Sequence, residues 1–223
     1  MKNKTSRQLP EDNKGIVFDR NKMGNFWWRM ENIYYVKNEA GEKVLFKLRW
    51  AQRFFLNNIW FLNIILKARQ LGFTTVICIY FLDQVLFEEN QSAGIIAHTQ
   101  EDAENIFRNK IMFAWENLPD ELKSSYGVDT SNAKQLKFNN GGSIRVATSM
   151  RSDTLQYLLI TELGTLALKY PEKAKEVISG SLNTIHRGQM LIIESTAKGQ
   201  SGKFYDLCMM ALNFARSKRK LSE

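Results

Sequence analysis

Residues 67–75 read Lys-Ala-Arg-Gln-Leu-Gly-Phe-Thr-Thr and have the spacing of a phosphate-binding loop. The usual pattern is Gly-x4-Gly-Lys-[Ser/Thr], in which the lysine reaches phosphate oxygens and the hydroxyl binds Mg²⁺. Here Gly72 takes the second glycine position and Thr74 the hydroxyl position, but Phe73 stands where the lysine should be. The spacing therefore predicts phosphate binding, with the cation displaced from its usual place.

Two cations lie at the front of the same loop. Lys67 and Arg69 could each reach across it, and a guanidinium suits two-point contact with phosphate. Backbone N–H groups at the start of the following helix would supply further donors to an anion. A strand-turn-helix with incidental basic residues is the alternative, and the loop alone does not exclude it.

An apolar strand, Leu158–Thr161, is followed directly by Glu162. Phosphate-transfer enzymes place an acid at such a strand end, beside Mg²⁺ and the attacking water. Glu162 is therefore the candidate to orient or deprotonate that water. A carboxylate that merely ends a strand is the more common situation for this element taken alone.

Two further segments could contact a transferring phosphoryl group. Ser195 and Thr196 follow the apolar strand Gln189–Ser195, and their hydroxyls could hydrogen-bond a γ-phosphate. Arg151 lies in a polar loop before the acidic strand and could stabilise developing charge, a role that raises rates by roughly 10³–10⁵. A surface arginine paired with Asp153 is an equally good interpretation of that loop.

The elements that must position these residues alternate between strands and helices. This alternation predicts a mainly parallel sheet of βαβ units, in which polar residues after each strand converge on one crevice. A hairpin is predicted upstream, from Ile33–Val36 and Val44–Leu48. The predicted strands are 63–66, 93–97, 135–138, 143–148, 156–161 and 189–195, and the predicted helices are 50–60, 73–89, 100–118, 172–182 and 202–220.

Composition sets broad limits on the partners. The chain has 223 residues and a formal net charge of +8, which favours a polyanion partner such as nucleic acid, although a basic protein without one is the alternative. Arg216, Lys218, Arg219 and Lys220 could grip DNA or could simply favour a helix C-terminus. Two isolated cysteines, a polar N-terminus and the lack of a 20-residue apolar run predict a cytosolic protein that does not enter the membrane.

In this order, the segments resemble the ATPase domain of the large terminase subunit, the DNA-packaging motor of tailed bacteriophages. The resemblance runs from about Trp50 to Asp206. It rests on the loop at 67–75, on Ile95-Ile96-Ala97-His98-Thr99, on the Arg151-Ser152-Asp153-Thr154 segment that leads into the acidic strand, and on Glu194-Ser195-Thr196-Ala197-Lys198-Gly199, which looks like the family's coupling motif. Gln52 looks like its adenine-reading glutamine.

The resemblance implies an ASCE-type P-loop NTPase, a three-layer αβα fold with a mainly parallel sheet. A hairpin region at 1–48 would precede an ATPase domain at 49–223. It implies Glu162, Arg69 and Arg151 as catalytic residues, and Thr74, Thr161 and Glu162 as the Mg²⁺ site. The residues implied to bind ATP are Gln52, Lys67, Arg69, Gln70, Leu71, Gly72, Phe73, Thr74, Thr75, Ser195 and Thr196.

Such proteins work as homo-oligomeric rings with a portal protein and a small terminase subunit, and they drive double-stranded DNA into a procapsid. The resemblance implies action in the host cytoplasm, outside the mature virion. Thr161 departs from the family, since many P-loop ATPases carry an aspartate there, and weaker Mg²⁺ binding is expected. No carboxylate cluster for a nuclease follows Glu194, so DNA cleavage is not expected, whether the chain is an isolated domain or a truncated product. A hydrolytically silent DNA- or portal-binding fragment and another P-loop DNA translocase are the alternatives.

Overall fold

A computed structural model describes residues 20–150, 154–184 and 188–220. The strands are Tyr35–Lys37 (β1), Lys43–Leu45 (β2), Leu62–Leu66 (β3), Ser92–Ile96 (β4), Val128–Ser131 (β5), Gln135–Phe138 (β6), Ser143–Ala147 (β7), Tyr157–Thr161 (β8) and Met190–Ser195 (β9). The α-helices are Phe26–Asn32 (α1), Trp50–Asn57 (α2), Phe73–Phe87 (α3), Gln100–Ile106 (α4), Phe113–Glu116 (α5), Asp120–Ser125 (α6), Leu163–Lys169 (α7), Pro171–Thr184 (α8) and Lys203–Lys220 (α9). A 3₁₀ turn spans Arg20–Lys22, and a π-helical turn, Phe107–Met112, joins α4 to α5.

Seven strands form one sheet in the order β3-β9-β8-β4-β7-β6-β5. Neighbours from β3 to β7 run parallel, while β6 and β5 are added antiparallel at one edge. The hairpin β1–β2 forms a separate two-stranded sheet. The mainly parallel sheet is therefore confirmed. Because the parallel strands point the same way, the residues after β3, β4, β8 and β9 meet at one edge.

Alternating strand residues face two different cores, as the two-residue period of a strand requires. Leu159 and Ile192 belong to a core that also contains α3, whereas Leu158 and Leu191 belong to a core with α7 and α8. Helices thus cover both faces of the sheet, and the predicted three-layer αβα fold is confirmed. α3 is buried along almost its whole length because it lies between the sheet and the N-terminal elements.

Residues of α1 and the hairpin belong to the same core as α3. Met30, Ile33, Tyr34 and Phe46 are buried in it. The hairpin itself was predicted correctly from its two apolar strands and polar turn. The proposed division at residue 48 stays a prediction, but the described core contains residues from both sides of it.

Most predicted elements are present, with ends shifted by a few residues. The polar stretch 119–132 was not assigned any element, yet it contains α6 and β5. α7 was also missed because it is short and begins directly at the strand end. The helix predicted over 100–118 is interrupted by the π-helical turn, although Thr99 caps its start as expected. Within the described residues, no helix combines the length and the apolar character needed to cross a membrane.

Candidate active site

The loop between β3 and α3 has a constrained backbone. Gln70 and Gly72 both adopt positive φ, at 63° and 71°. The positive φ favours glycine at position 72, and a Cβ there would lie 2.7 Å from Gln52 Nε2, so a larger residue would also displace the Gln52 amide. The loop therefore brings its backbone to the start of α3, as a phosphate-binding loop must.

Gln52 of α2 holds this loop. Its Nε2 donates to the carbonyl oxygens of Leu71 and Gly72, each at 3.1 Å, and its Oε1 accepts from the Arg49 backbone N–H at 3.0 Å. Arg49 Nη1 donates to the carbonyl of Gln70 at 3.1 Å. The structure thus places Gln52 against the loop, and its assignment as an adenine-reading residue stays a prediction.

Phe73 explains why the usual lysine is missing. Its side chain is only 8% exposed and packs edge-on against Phe55 of α2, with ring centroids 5.9 Å apart. Position 73 therefore points into the core. A phenylalanine anchors the start of α3 there, and a charged side chain at this position would lie in an apolar environment.

We expect Phe73→Lys to lower stability without improving any phosphate chemistry. The substitution removes a buried aromatic ring, which alone costs about 3–5 kcal/mol, and introduces a poorly solvated ammonium. Chemical denaturation would measure the loss, with Phe73→Leu as the control that keeps the site apolar. Higher nucleotide affinity in Phe73→Lys would show that the side chain can turn towards the loop.

Lys67 lies among the carboxylates at the strand ends. Its Nζ is 3.4 Å from Glu194 Oε2 and 3.6 Å from Glu162 Oε1, and it is also 3.4 Å from Thr74 Oγ1. The Lys67 side chain is 11% exposed, whereas Arg69 is solvent-exposed. Of the two cations predicted at the front of the loop, Lys67 is therefore the one placed at the acidic cluster.

Glu194 is a residue of the candidate site that the sequence analysis did not single out for its carboxylate. It is fully buried at the end of β9. Its Oε1 accepts hydrogen bonds from the hydroxyls of Thr74 and Thr161, the latter at 2.9 Å. Its Oε2 is buried and receives no hydrogen bond in the described structure. The available signal was an acid that interrupts an otherwise apolar strand.

Glu162 adopts a left-handed conformation, with φ 54° and ψ 38°, at the junction of β8 and α7. This conformation costs a non-glycine residue about 1–2 kcal/mol and often marks a functional position. Its Oε2 lies 3.4 Å from Thr165 Oγ1 and 3.5 Å from Thr196 Oγ1. Glu162 is thus directed to the crevice and stays partly accessible, as an acid that positions water should be.

Ser195 and Lys110 complete the surroundings. Ser195 Oγ accepts from the Gly164 backbone N–H at 3.0 Å, so this hydroxyl joins the start of α7 to the end of β9. Lys110, which the sequence did not single out, projects from the π-helical turn and donates to Thr75 Oγ1 at 2.8 Å. π-Helical turns occur often at functional sites. Lys110 is therefore a further cation close to the loop.

Two cavities border the loop. The larger, about 780 Å³, is lined by the hairpin together with Arg49, Gln52, Gly72 and Lys110. The smaller, about 330 Å³, is lined by Thr74, His98, Lys110, Thr161 and Glu162, among others. Both volumes lie in the range of small-ligand pockets. The site therefore has two cavities of ligand size, one beside the hairpin and one beside Glu162 and Thr161.

The donor set suits a magnesium ion that is shared with phosphate. No group of three or more His, Cys, Asp and Glu capable of holding a metal occurs within residues 20–150, 154–184 and 188–220. Mg²⁺ commonly takes one or two protein oxygens and completes its shell with phosphates and water. The buried Glu194 Oε2, which has Lys67 Nζ at 3.4 Å but receives no hydrogen bond, and the nearby Thr74 hydroxyl fit that role. Arg151, predicted as a finger, lies outside the described residues.

The fold has known counterparts. No protein-family model matches the chain, and no curated protein matches it. The large terminase of bacteriophage HK97 superposes with a TM-score of 0.66 at 15% identity, covering 88% of this chain and 42% of that one. The large terminase ATPase domain of Thermus phage P74-26 gives 0.55 at 18% identity, covering 72% and 69%.

This chain therefore spans less than half of the HK97 protein. At these identities the similarity establishes architecture. The chain has the P-loop fold of the ATPase domains of bacteriophage large terminases.

Proposed function

We propose that this chain hydrolyses ATP to drive double-stranded viral DNA into a procapsid. The observation that carries the proposal is the cluster at the strand ends, where Lys67, Thr74, Glu162 and Glu194 lie together beside the loop before α3. A cation, a hydroxyl and two carboxylates at one loop are the groups that phosphoryl transfer to water requires.

Each group then has a defined task. Lys67 leaves its ion pairs to contact the phosphates, and backbone N–H groups at the start of α3 support the same charge. Thr74, Thr161 and a neighbouring acid would hold Mg²⁺, which neutralises the phosphate oxygens when bound. Glu162, within reach of the smaller cavity, orients the attacking water and accepts its proton. The larger cavity would take the base and sugar.

The proposed motor needs partners beyond this chain. The likeness to phage terminases supports double-stranded DNA, a portal protein, a small terminase subunit and a ring of copies as those partners, acting in the host cytoplasm. The exposed Arg216 near the end of α9 is a candidate DNA contact. A contact of this kind would weaken steeply as salt is raised.

The test is Mg²⁺-dependent ATP hydrolysis by the purified chain, with and without double-stranded DNA. Glu162→Gln should lower kcat at least about a hundredfold, since it removes a positioned base, and should leave ATP binding near wild type. Glu172→Gln is the matched control because Glu172 is an exposed carboxylate on α8 that pairs with Lys175.

The outcomes separate the remaining alternatives. Hydrolysis lost only in Glu162→Gln supports the proposal. ATP binding without hydrolysis would mean that a neighbouring subunit or a further part of the protein completes the site. Wild-type protein that neither binds nor hydrolyses ATP would leave the silent DNA- or portal-binding fragment.

A further inference from the structure

We propose that Glu194 on β9 supplies the negative charge that holds Mg²⁺ in this site, in place of a carboxylate at Thr161 on β8. The inference rests on the proposed nucleotide-binding function. It assigns the metal-holding acid to a different strand from the one that carries the water-positioning acid Glu162. The two carboxylates therefore have separate tasks and can be separated by experiment.

The register between β8 and β9 allows an acid on β9 to take the place of an acid at position 161 on β8. Thr161 and Glu194 are direct partners in the parallel pairing of β8 and β9. Partner residues on neighbouring strands point to the same face and lie about 5 Å apart. A glutamate on β9 can therefore bring its carboxylate to the space beside Thr161, and the hydrogen bond between them at 2.9 Å shows that it does.

Hydrogen bonding shows that this carboxylate is aimed at the loop. Thr161 and Thr74 both donate their hydroxyl protons to the same atom, Glu194 Oε1. Thr74 holds the position whose hydroxyl binds Mg²⁺ in phosphate-binding loops. The candidate metal-binding hydroxyl and the Glu194 carboxylate are thus in direct contact.

The second oxygen of Glu194 lacks a hydrogen bond. Oε2 is buried, and Lys67 Nζ lies 3.4 Å away. A buried carboxylate oxygen without a donor is unfavourable unless a cation satisfies it. When Lys67 turns to the phosphates, Glu194 is left buried, charged and without its lysine. A divalent cation beside Thr74 would restore the balance.

The local charge favours a cation as well. Lys67 lies between Glu162 and Glu194, at 3.6 and 3.4 Å, so one positive charge serves two negative ones. A residue that only anchored Thr74 and Thr161 would not need a charge, because a neutral amide oxygen also accepts hydrogen bonds. Glutamine at position 194 therefore separates an anchoring role from a metal-holding role.

The experiment measures metal binding directly. Mn²⁺, an oxygen-seeking substitute for Mg²⁺, is titrated into the full chain with ADP and followed by electron paramagnetic resonance. ADP affinity is measured in parallel by calorimetry in EDTA. We expect Glu194→Gln to weaken Mn²⁺ binding about 10–100-fold while metal-free ADP affinity stays near wild type. Glu172→Gln is the matched carboxylate control, because Glu172 is exposed on α8 and pairs with Lys175, and it should bind Mn²⁺ as wild type does. Glu162→Gln is measured beside it and should lose less Mn²⁺ affinity than Glu194→Gln.

A second experiment moves the carboxylate from position 194 on β9 to position 161 on β8. Thr161→Asp combined with Glu194→Gln should recover most of the Mn²⁺ affinity, since it restores one carboxylate at the same register level. If Glu194→Gln does not fold, Glu194→Asp, which keeps the charge, is compared with Glu194→Ala. We expect Glu194→Asp to bind Mn²⁺ more tightly than Glu194→Ala.

Three results would overturn the inference. They are wild-type Mn²⁺ affinity in Glu194→Gln, equal Mn²⁺ affinity in Glu194→Asp and Glu194→Ala, and loss of Mn²⁺ binding confined to Glu162→Gln. Each of these leaves the proposed ATPase intact, provided that ADP still binds. Wild-type protein that binds no ADP, with or without metal, would instead remove the proposed function on which the inference rests.

Discussion

Replacing Lys67 by alanine should lower kcat/KM for ATP by about 10³-fold or more. Loss of one preorganised group that stabilises transition-state charge typically costs 10²–10³ in kcat, and Lys67 would contribute to ground-state binding as well. The core position of Phe73 leaves no lysine at the usual place in the loop. Steady-state kinetics with saturating Mg²⁺ would measure the effect.

Arg69→Ala is the matched control for Lys67. Arg69 belongs to the same loop and carries the same charge, but it is exposed, whereas Lys67 lies between Glu162 and Glu194. We expect Arg69→Ala to lose much less activity than Lys67→Ala in the isolated chain. Equal losses would show that Arg69 swings onto the phosphates. A large loss in Arg69→Ala alone would contradict the assignment of Lys67.

Replacing Asp83 by leucine should destabilise the protein by about 3–5 kcal/mol, the usual cost of breaking a buried ion pair from one side. Asp83 is fully buried in α3, and Arg29 of α1 donates two hydrogen bonds to its carboxylate, at 2.7 and 2.9 Å. Tyr34 donates to the same carboxylate at 2.8 Å. Urea denaturation followed by circular dichroism would measure the free energy of unfolding.

The opposite expectation holds for removing the whole network. Burial raises the pKa of the Asp83 carboxyl despite the hydrogen bonds from Arg29 and Tyr34. Burial lowers the pKa of Arg29, but pairing with Asp83 raises it overall, so the cost of desolvation falls on the acid. Combining Arg29→Met, Tyr34→Phe and Asp83→Leu should therefore recover most of the stability lost in Asp83→Leu. A triple variant no more stable than the single one would mean that these polar contacts are net stabilising.

Sequence reasoning reached the fold because periodicity and alternation report it directly. The strands before Lys67 and Glu162 are short apolar segments, and each is followed by polar residues. A parallel sheet brings the ends of such strands together. α6 and β5 were missed because their residues are mostly polar and exposed and so lack an apolar periodicity. β5 also depends on pairing with β6 at the sheet edge. Strand order was also beyond reach, since the pattern of one chain does not say which strands are neighbours.

The site was predictable in part for the same reason. Position after a strand or in the loop was enough to predict three site residues, Thr74, Thr161 and Glu162. The structure brings these three together at one cavity. Glu194 was not recognised as a partner of Thr161, because that contact depends on β9 lying next to β8 in a particular register. The inward direction of Phe73 likewise depends on α2, whose packing against the loop no local motif reveals.

The position of β3 at the edge of the sheet affects how the chain can fold during synthesis. Its strand neighbour is β9, and Leu62 pairs with Leu191, close to the other end of the described chain. A ribosome therefore releases β3 long before its hydrogen-bonding partner exists. Such non-local pairing slows folding and leaves intermediates with exposed apolar strands. Lys67 and Glu194 can meet only after β9 has been synthesised and has paired with β3, so the ion pair at the centre of the site depends on this long-range contact.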